Sequence, residues 1–450
     1  MIPDEPRFGT DGVRGIANVE LTSFLALRLG MAAASVLGRH AASNKVVVGR
    51  DTRLSGEMLE SALASGLASM GSDVLLAGVI PTPGVAQCSL LEGASAGAVI
   101  SASHNPFKDN GIKFFGGDAR KLSDAVETEI EEALGNWQEL PFAEPERIGK
   151  ISYRSDFAAH YARQVSLTGK SLSGLKIVID CANGAASAFA LDIYSNLGAD
   201  VILLHADPNG VNINENCGST RTSDMRNKVV ESGAHAGLAF DGDCDRVMLC
   251  DERGREVDGD HMMAILARGM QLRGELTGNT VVATTMSNAG LDDALDRLGI
   301  RLLRTDVGDR YVAEAMLETG AKLGGEKSGH VLLPHLTPTG DGMVTGLQVL
   351  AEMMERKEPL SALAFDMQPC PQKLRGIRVR DRLGWQDVPE IQAAIEEARK
   401  LVGKPEWLSV RASGTESLVR IMAQDHREVV VDHVVEKLCG LIKSRFGVDP

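Results

Sequence analysis

Short apolar runs alternate with helix-like stretches along most of the chain. Residues 45–50 (KVVVGR) are followed by a helical pattern (ESALASGLASMG) and a second apolar run (DVLLAGVI). The same order returns at residue 176 (KIVID) and at residue 280 (TVVA), each time with a Gly-, Ser- or Asn-containing turn before the helix. Runs that are apolar throughout are typical of strands buried on both faces of a parallel sheet. The pattern therefore predicts three α/β units of roughly 100 residues each.

The end of the chain has a different pattern. From residue 374 the order is strand (GIRVR), helix (EIQAAIEEARKLV), strand (WLSVR), strand (SLVRIMAQ) and helix (VVVDHVVEKLCGLIKSRF). This order predicts a smaller α+β domain with an antiparallel pair, and the segment DMQPCPQ is the predicted linker. The predicted domains are residues 1–150, 151–252 and 253–367, which are α/β with mixed, mainly parallel sheets, and the α+β domain 368–450.

Composition narrows the class of protein. A chain of 450 residues is too long for one hydrophobic core. Its net charge of −14, from 47 Lys and Arg against 61 Asp and Glu, should repel nucleic acid and anionic membranes. The chain has no apolar run of roughly 18 residues, no signal pattern, and seven scattered cysteines with no C-x-x-C spacing. We therefore expect a cytoplasmic protein with no nucleic-acid or membrane partner, in which a phosphorylated ligand would need a local basic pocket.

The stretch VISASHNPFKDNGIKFF (residues 99–115) places polar residues between two apolar runs. One interpretation is a surface loop that joins two strands. The other is a nucleophilic serine, Ser103, presented beside His104 and Lys113. Because Ser103 is not in a G-x-S-x-G elbow, the sequence disfavours an acyl-transfer hydrolase.

The stretch DGDCD places Asp241, Asp243 and Asp245 between two further apolar runs. Three carboxylates this close repel one another unless a cation lies among them, and oxygen ligands favour a hard ion such as Mg²⁺. A calcium-binding EF-hand loop is disfavoured because Arg246 stands where that loop needs glycine. A solvated acidic turn is the remaining alternative. The stretch predicts a metal site.

Two other polar loops give weaker signals. In GGEKSGH (residues 324–330), alternate polar side chains would point the same way if the segment were extended, and the alternative is a polar turn. In RASGTES (residues 411–417), backbone amides with Arg411 and Arg420 could bind an anion, and the alternative is an ordinary hairpin. A serine, a metal loop and a separate phosphate cradle together indicate phosphoryl transfer to and from a sugar phosphate.

Four segments, SASHNPFKDNGIKFF, DGDCDR, GGEKSGH and RASGTES, resemble the signatures of the α-D-phosphohexomutase superfamily, in the same order and over essentially the whole chain. The runs RFGTDGVRG, PNGVNINENCGST, TTMSNAGL and TGDGMVTGLQVLAEM favour the branch that acts on glucosamine phosphates. The resemblance implies a heart-shaped molecule of four domains around a central cleft. It also implies that the protein interconverts glucosamine 6-phosphate and glucosamine 1-phosphate through a phosphoserine and a 1,6-bisphosphate. The product would supply the synthesis of UDP-N-acetylglucosamine.

The resemblance further implies cofactors and residue roles. Mg²⁺ would be the metal, and a hexose 1,6-bisphosphate the activator and intermediate. Ser103 would carry the phosphate and share the metal with Asp241, Asp243 and Asp245. The residues implied to assist phosphoryl transfer are His104, Lys113, Arg14 and Arg246. Those implied to bind the sugar hydroxyls are Glu326, Ser328 and His330. Those implied to bind the non-reacting phosphate are Arg411, Ser413, Gly414, Thr415 and Arg420.

The sequence alone leaves other functions open. A phosphomannomutase or phosphoglucomutase would use the same mechanism on another sugar, and Lys327, where relatives carry other residues, bears on that choice. A sugar-phosphate-binding protein without activity would need a broken serine or metal loop, and both are intact. A metal-dependent phosphatase would release phosphate to water. The expected partners are small sugar phosphates, and the expected assembly is a monomer or a homodimer.

Overall fold

The computed structural model describes residues 12–39, 43–381, 383–412 and 417–448. It divides into two compact units, and neither is continuous in sequence. The first unit contains Met1–Gly259 and Ser328–Leu363, and the second contains Asp260–Lys327 and Ala364–Pro450. The two stretches of the first unit are therefore separated in sequence by residues 260–327, which belong to the second unit.

The first sheet of the first unit has six strands in the spatial order first, fifth, fourth, second, third, sixth. The second strand pairs in parallel with the third and fourth, whereas the fifth is antiparallel to the first and fourth. Val46, Val47 and Val48 are buried, as predicted for a strand covered on both faces. The elements are β1 (Val13–Ile16), α1 (Ser23–Leu37), β2 (Lys45–Arg50), α2 (Gly56–Ser69), β3 (Asp73–Val79), α3 (Thr82–Glu92), β4 (Ala96–Ile100), β5 (Asp109–Gly116), α4 (Asp124–Gly135) and β6 (Ile151–Tyr153).

The second sheet repeats this plan with five strands. The elements are α5 (Asp156–Thr168), β7 (Lys176–Asp180), α6 (Ala190–Asn196), β8 (Asp200–Leu204), α7 (Ser223–Ser232), β9 (Ala236–Phe240), β10 (Val247–Asp251) and β11 (Glu256–Val257). Their order is β11–β10–β9–β7–β8, with β7 parallel to β8 and β9, and β10 antiparallel to β9. The serine loop follows β4 and the acidic loop follows β9, so both loops connect antiparallel neighbours at equivalent places in the two sheets.

The second unit begins with the third copy of the pattern. It contains α8 (Gly259–Leu272), β12 (Thr280–Thr284), α9 (Ala289–Arg297), β13 (Arg301–Thr305), α10 (Asp309–Thr319) and β14 (Gly324–Gly325). Strand β12 pairs in parallel with β13 and β14. The three α/β sheets confirm the predicted mixed, mainly parallel class.

The chain then returns to the first unit through β15 (Val331–Leu332), α11 (Gly342–Arg356) and α12 (Leu360–Ala364). Helix α11 packs against α5, β9 and β10. The side chain of Asp341 caps this helix by accepting hydrogen bonds from the N–H groups of Met343 and Val344. The buried Tyr161 hydroxyl of α5 donates to the same carboxylate, so the cap also joins the two helices.

The end of the second unit has the predicted β-α-β-β-α order. It consists of β16 (Gln372–Arg378), α13 (Pro389–Leu401), β17 (Leu408–Ala412), β18 (Leu418–Gln424) and α14 (Glu428–Phe446). The sheet order is β16–β18–β17, and both pairings are antiparallel. Strand β16 begins four residues before the predicted run GIRVR, because Gln372 to Leu374 extend the ladder opposite Gln424 to Met422.

Of the two alternatives for GGEKSGH, the structure has the polar turn. The segment GGEKSGH is extended only at Gly324–Gly325, and a turn follows over residues 327–329. Gly329 has a φ of +90°, which glycine adopts easily and which breaks the extended path. The side chains of Glu326, Ser328 and His330 therefore do not alternate along a strand. Among the described residues, no helix has the length and apolarity required to cross a bilayer.

Candidate active site

Ser103 lies in the loop after β4, and its side chain is turned into the protein. The residue is 1% exposed and has a φ of +50°, a strained value for a serine. Its hydroxyl donates a hydrogen bond to Oδ2 of Asp241 at 2.6 Å, and Nδ1 of His104 lies 3.4 Å from the same Oγ. The structure therefore brings the predicted serine and the predicted metal loop into direct contact.

Arg53 holds this serine loop in place. The arginine is fully buried, and its Nε pairs with Oδ2 of Asp51 at 2.9 Å. Its two terminal nitrogens donate to four backbone carbonyls of the loop, those of Ser103, Asn105, Pro106 and Asp109. Because a guanidinium presents several donors in a fixed plane, one side chain can fix the path of the whole loop.

The acidic loop and the adjoining Asn214 secure the other side of the serine loop. The side-chain amide of Asn214 donates to the carbonyl oxygens of Ser103 at 2.8 Å and Asn105 at 2.9 Å. Gly242 also lies against the serine loop, since a Cβ there would be 2.6 Å from the Ser103 carbonyl oxygen. Only glycine permits so close an approach of the two loops.

The three aspartates of the acidic loop form one buried cluster. Asp241, Asp243 and Asp245 offer carboxylate oxygens that all lie within 4.8 Å of one another. Oδ2 of Asp243 accepts from Thr82 at 2.6 Å and from Lys113 at 2.8 Å. Its buried Oδ1 has no hydrogen-bond partner in the described part of the chain. A buried carboxylate oxygen without a donor is costly, so this donor set fits a hard divalent cation.

The surroundings move the pKa values of these carboxyl groups in opposite directions. Burial, with the charges of Asp245 and Asp243, raises the pKa of Asp241 well above its ordinary value. Burial acts in the same direction on Asp245, but Lys113, His330 and Arg246 outweigh it and lower the pKa of Asp245 well below its ordinary value. Asp241 is therefore protonated more readily than Asp245, and a cation among the carboxylates would replace that proton.

His104 lies between basic groups. Nη1 of Arg246 is 3.4 Å from Nδ1 of His104, and Nη1 of Arg14 donates to the Ala102 carbonyl at 3.4 Å. Burial and the charges of Arg246 and Arg14 lower the pKa of His104. The imidazole is therefore neutral near pH 7 and has a nitrogen available to accept a proton.

Of the predicted sugar ligands, His330 lies against the acidic cluster. It is buried, and its Nδ1 is 3.6 Å from Oδ1 of Asp245. Gly340 makes this position possible, because a Cβ there would be 2.4 Å from the His330 ring. The ring is therefore confined between Gly340 and the acidic loop.

The remaining predicted residues are distributed as follows. Ser328 begins the returning segment of the first unit, whereas Glu326 lies in the second unit. There, Arg411 and Arg420 are directly opposed across β17 and β18. Burial and the Arg420 charge lower the pKa of Arg411, and Asp306 and Glu326 partly compensate. Ser413, Gly414 and Thr415 lie outside the described residues.

Three residues at the serine site were not identified from the sequence. They are Thr82 at the start of α3, Arg53 of the run GRDTR, and Asn214 of the run PNGVNINENCGST, which was quoted only for the resemblance. An arginine two residues after an aspartate at a strand end was the available signal for Arg53. All three contact loops that are distant in sequence, and such contacts have no local pattern.

Lys327 and Cys244 adjoin the predicted sugar and metal residues, and both have fixed positions. Nζ of Lys327 donates to Oε1 of Gln372 at 2.8 Å, which fixes the ammonium beside β16. Cys244 is fully buried, and its carbonyl accepts a hydrogen bond from Gly342 at 3.0 Å, next to the cap of α11. The cysteine therefore occupies a packing position within the acidic loop.

Comparison with known proteins covers the whole chain. Family models of phosphoglucomutase/phosphomannomutase match as α/β/α domain I at residues 5–140, domain II at 155–254, domain III at 258–370 and the C-terminal domain at 375–441. A phosphoglucosamine mutase from Desulforamulus reducens is 49% identical over 97% of this chain and 98% of its own. The domain bounds 1–150, 151–252, 253–367 and 368–450 remain a prediction from the sequence.

Solved structures show the same fold. A phosphoglucomutase/phosphomannomutase family protein from Burkholderia thailandensis has a TM-score of 0.81 at 23% identity, over 98% of this chain and 99% of its own. An N-acetylphosphoglucosamine mutase from Aspergillus fumigatus, solved with GlcNAc-6P and magnesium, has a TM-score of 0.69 at 15% identity, over 99% and 97% of the two chains. The chain belongs to the phosphoglucomutase/phosphomannomutase superfamily and, within it, to the phosphoglucosamine mutase family.

Proposed function

We propose that this chain interconverts glucosamine 6-phosphate and glucosamine 1-phosphate by way of a phosphoserine at Ser103. The observation that carries the proposal is the contact between the Ser103 hydroxyl and Asp241, inside a cluster of three buried carboxylates. Lys113 donates to Asp243 of the same cluster, so a serine in that place would have a bound cation and a positive side chain nearby, the two features that phosphoryl transfer requires. Full-length relatives named phosphoglucosamine mutase favour the amino sugar over glucose or mannose.

The acidic loop would hold Mg²⁺ through Asp241, Asp243 and Asp245, together with the phosphate on Ser103. Once bound, Mg²⁺ supplies positive charge that neutralises the transferring phosphoryl group. The unpartnered Oδ1 of Asp243 supports this assignment, as does the magnesium in the structure of the Aspergillus relative.

The transfer conserves phosphate overall. The bond between phosphorus and Oγ of Ser103 breaks as a bond forms to the C1 oxygen of glucosamine 6-phosphate, and the hydroxyl proton leaves to a nearby base. The resulting 1,6-bisphosphate turns around, and its 6-phosphate is transferred to Ser103, which leaves glucosamine 1-phosphate. His104 would accept the proton, while Lys113, Arg14 and Arg246 would supply charge.

The non-reacting phosphate would bind in the second unit. Arg411 and Arg420 are opposed across two strands, and like charges in that arrangement repel. An anion between them would relieve the repulsion, and a phosphate accepts charge-assisted hydrogen bonds from guanidinium groups. Ser413, Gly414 and Thr415 would add ligands from the adjoining loop, while Glu326, Ser328 and His330 would bind sugar hydroxyls.

The test is a side-by-side mutase assay with Mg²⁺ and a trace of hexose 1,6-bisphosphate. Glucosamine 6-phosphate, glucose 6-phosphate and mannose 6-phosphate are each followed to the 1-phosphate, with inorganic phosphate measured in the same samples. A kcat/KM that is largest for the amino sugar supports the proposal. A preference for glucose or mannose would transfer the same mechanism to another sugar, and stoichiometric release of phosphate would indicate a phosphatase instead.

A further inference from the structure

Three potential metal ligands meet in the second unit, among residues for which the proposed reaction has no use. Asp293 lies on α9, Cys370 precedes β16, and His426 follows β18. Sγ of Cys370 is 3.2 Å from Nδ1 of His426 and 3.8 Å from Oδ2 of Asp293, and Nε2 of His426 is 3.6 Å from that oxygen. Each residue offers a ligand atom within 4.8 Å of the other two.

A metal ion binds one nitrogen of a histidine ring, so the donor set is the Cys370 sulfur, one His426 nitrogen and one Asp293 oxygen, all within 4.8 Å of one another. Atoms bound to zinc at about 2.0–2.3 Å lie about 3.3–3.8 Å from one another, so a small rotation of the His426 ring or the Asp293 carboxylate brings this set to tetrahedral spacing. A thiolate, an imidazole and a carboxylate are a donor set that zinc accepts, and Mg²⁺ competes poorly for sulfur and nitrogen. The side chain of His426 is 54% exposed, so an ion can enter and a water can complete the coordination.

The three ligands are held in place before any metal binds. The backbone N–H of Cys370 donates to Oδ1 of Asn288 at 2.7 Å, and Nδ2 of Asn288 donates back to the Cys370 carbonyl at 3.0 Å. The ring of His426 packs edge-on against Trp407, with centroids 5.3 Å apart. Trp407 in turn donates from Nε1 to Asp292, the neighbour of Asp293 on α9. A preorganised site binds with a smaller loss of side-chain entropy.

A second cluster of the same residue types lies in the first unit and consists of Asp180, His205 and Cys217. It is less suited to binding a metal ion. Both oxygens of Asp180 already accept backbone N–H groups, from Ala182 at 2.8 Å and Gly218 at 3.0 Å. Its carboxylate also lies 3.1 Å from the His205 ring. In that cluster the carboxylate oxygens already have hydrogen-bond donors.

We propose that Asp293, Cys370 and His426 form a binding site for a zinc-type divalent cation. Binding replaces the thiol proton of Cys370, which is released to solvent, and joins α9 to the two segments that flank the C-terminal sheet. The ion would thus connect the third copy of the α/β pattern to the C-terminal domain inside the second unit. The site is independent of the acidic cluster proposed for Mg²⁺.

The experiment measures Zn²⁺ binding to the full-length protein by equilibrium dialysis and metal analysis, with Mg²⁺ in excess. We expect the wild-type protein to bind one Zn²⁺ per chain. Asp293→Asn, Cys370→Ser or His426→Asn should each lower the affinity for this ion at least about tenfold. The matched controls are His433→Asn, Cys439→Ser and His205→Asn, which remove an exposed histidine of α14, another thiol of the second unit and the other cluster's histidine. These controls should retain the bound ion.

Tryptophan fluorescence gives a readout that does not depend on activity. Because His426 packs against Trp407, Zn²⁺ should change the emission of the wild-type protein and of Asp243→Asn, but not that of His426→Asn. The exposed position of His426 makes its variant safe for folding even if Cys370→Ser misfolds. The proposal is overturned if the wild-type protein binds no Zn²⁺ in excess Mg²⁺, or if His426→Asn binds as tightly as His433→Asn.

Discussion

Nη2 of Arg53 donates a hydrogen bond to the carbonyl oxygen of Ser103 at 3.1 Å, so a buried cation fixes the backbone of the residue proposed to carry the phosphate. The charge of this arginine is balanced by Asp51, not by the reacting groups. Arg53 is therefore a positioning residue, and the geometry of the loop depends on its planar set of donors.

Arg53→Lys should impair both folding stability and turnover. Lysine keeps the positive charge beside Asp51 but cannot reach four carbonyls, so at least two buried hydrogen bonds are lost, at about 1–3 kcal/mol each. We expect kcat to fall about 10–100-fold with little change in KM, because the serine is displaced but the distal ligands remain. Arg50→Lys is the matched control, since Arg50 pairs with Glu57 and Glu60. Equal effects of the two variants would contradict the positioning role.

Ser103→Ala should abolish the mutase reaction. Without Oγ there is no acceptor for the phosphoryl group, and kcat should fall by at least about a thousandfold. Intact-mass measurement should also show that the phosphorylated form is lost. Ser95→Ala, which removes a buried hydroxyl bonded to the Lys45 carbonyl, is the control for folding. Interconversion by Ser103→Ala at near the wild-type rate would exclude the phosphoserine mechanism.

Asp243→Asn should weaken the binding of Mg²⁺. The substitution removes one of three charges and one unpartnered oxygen, so the Mg²⁺ concentration for half-maximal activity should rise at least about tenfold. Calorimetric titration of Mg²⁺ gives the same comparison without turnover. Asp251→Asn, at the other end of β10, should leave the Mg²⁺ affinity unchanged. An unaltered affinity in Asp243→Asn would remove this residue from the metal site.

Asp341 should make stability depend on pH between about 4 and 7. Burial raises the pKa of Asp341 from 3.8 to about 7. Because the folded state holds the proton more tightly, this group favours folding at low pH, and its contribution is lost as the pH rises from about 4 to about 7, by up to about 4 kcal/mol.

The neutral variant Asp341→Asn isolates the contribution of this carboxyl group to the pH dependence of stability. Its carbonyl oxygen can still accept from Met343 and Val344, so the cap of α11 is retained. Urea unfolding in EDTA at a series of pH values should show a flatter dependence in the variant and a gain in stability above pH 7. A slope identical to that of the wild type would show that Asp341 does not titrate in this range.

Arg420→Gln should separate binding of the distal phosphate from chemistry. KM for the sugar phosphate should rise about 10–100-fold while kcat changes less, because the lost contact is to a phosphate that does not react. Arg375→Gln on β16 is the control in the same sheet. A drop in kcat alone would contradict the assignment.

The fold could be predicted well because its signal is local. Residues 45–50 and 176–180 were recognisable as strands from continuous apolar runs, and both strands have those bounds. The serine and acidic loops were recognisable because each interrupts such runs with a chemically unusual cluster. The contacts of Arg53, Asn214 and Thr82 were not predictable, because each joins segments 50 or more residues apart and depends on how the sheets pack.

The GGEKSGH segment shows the limit of periodicity. Alternation of polar residues predicts a shared direction only for a strand, and Gly329 instead turns the backbone with a φ of +90°. Of its three polar residues, His330 is nevertheless brought to Asp245 by the turn. Glycine-rich segments allow several paths, and the packing of the surrounding elements decides among them.

The division of the first unit into two stretches of sequence has a consequence for synthesis on the ribosome. When the serine and acidic loops have emerged, residues 328–363 do not yet exist, so His330, Asp341 and α11 are absent from the nascent chain. The faces of β9 and β10 that α11 later covers are exposed during that interval. The N-terminal part of the first unit therefore cannot complete its packing until α11 has been synthesised, and until then its uncovered apolar surface is open to aggregation.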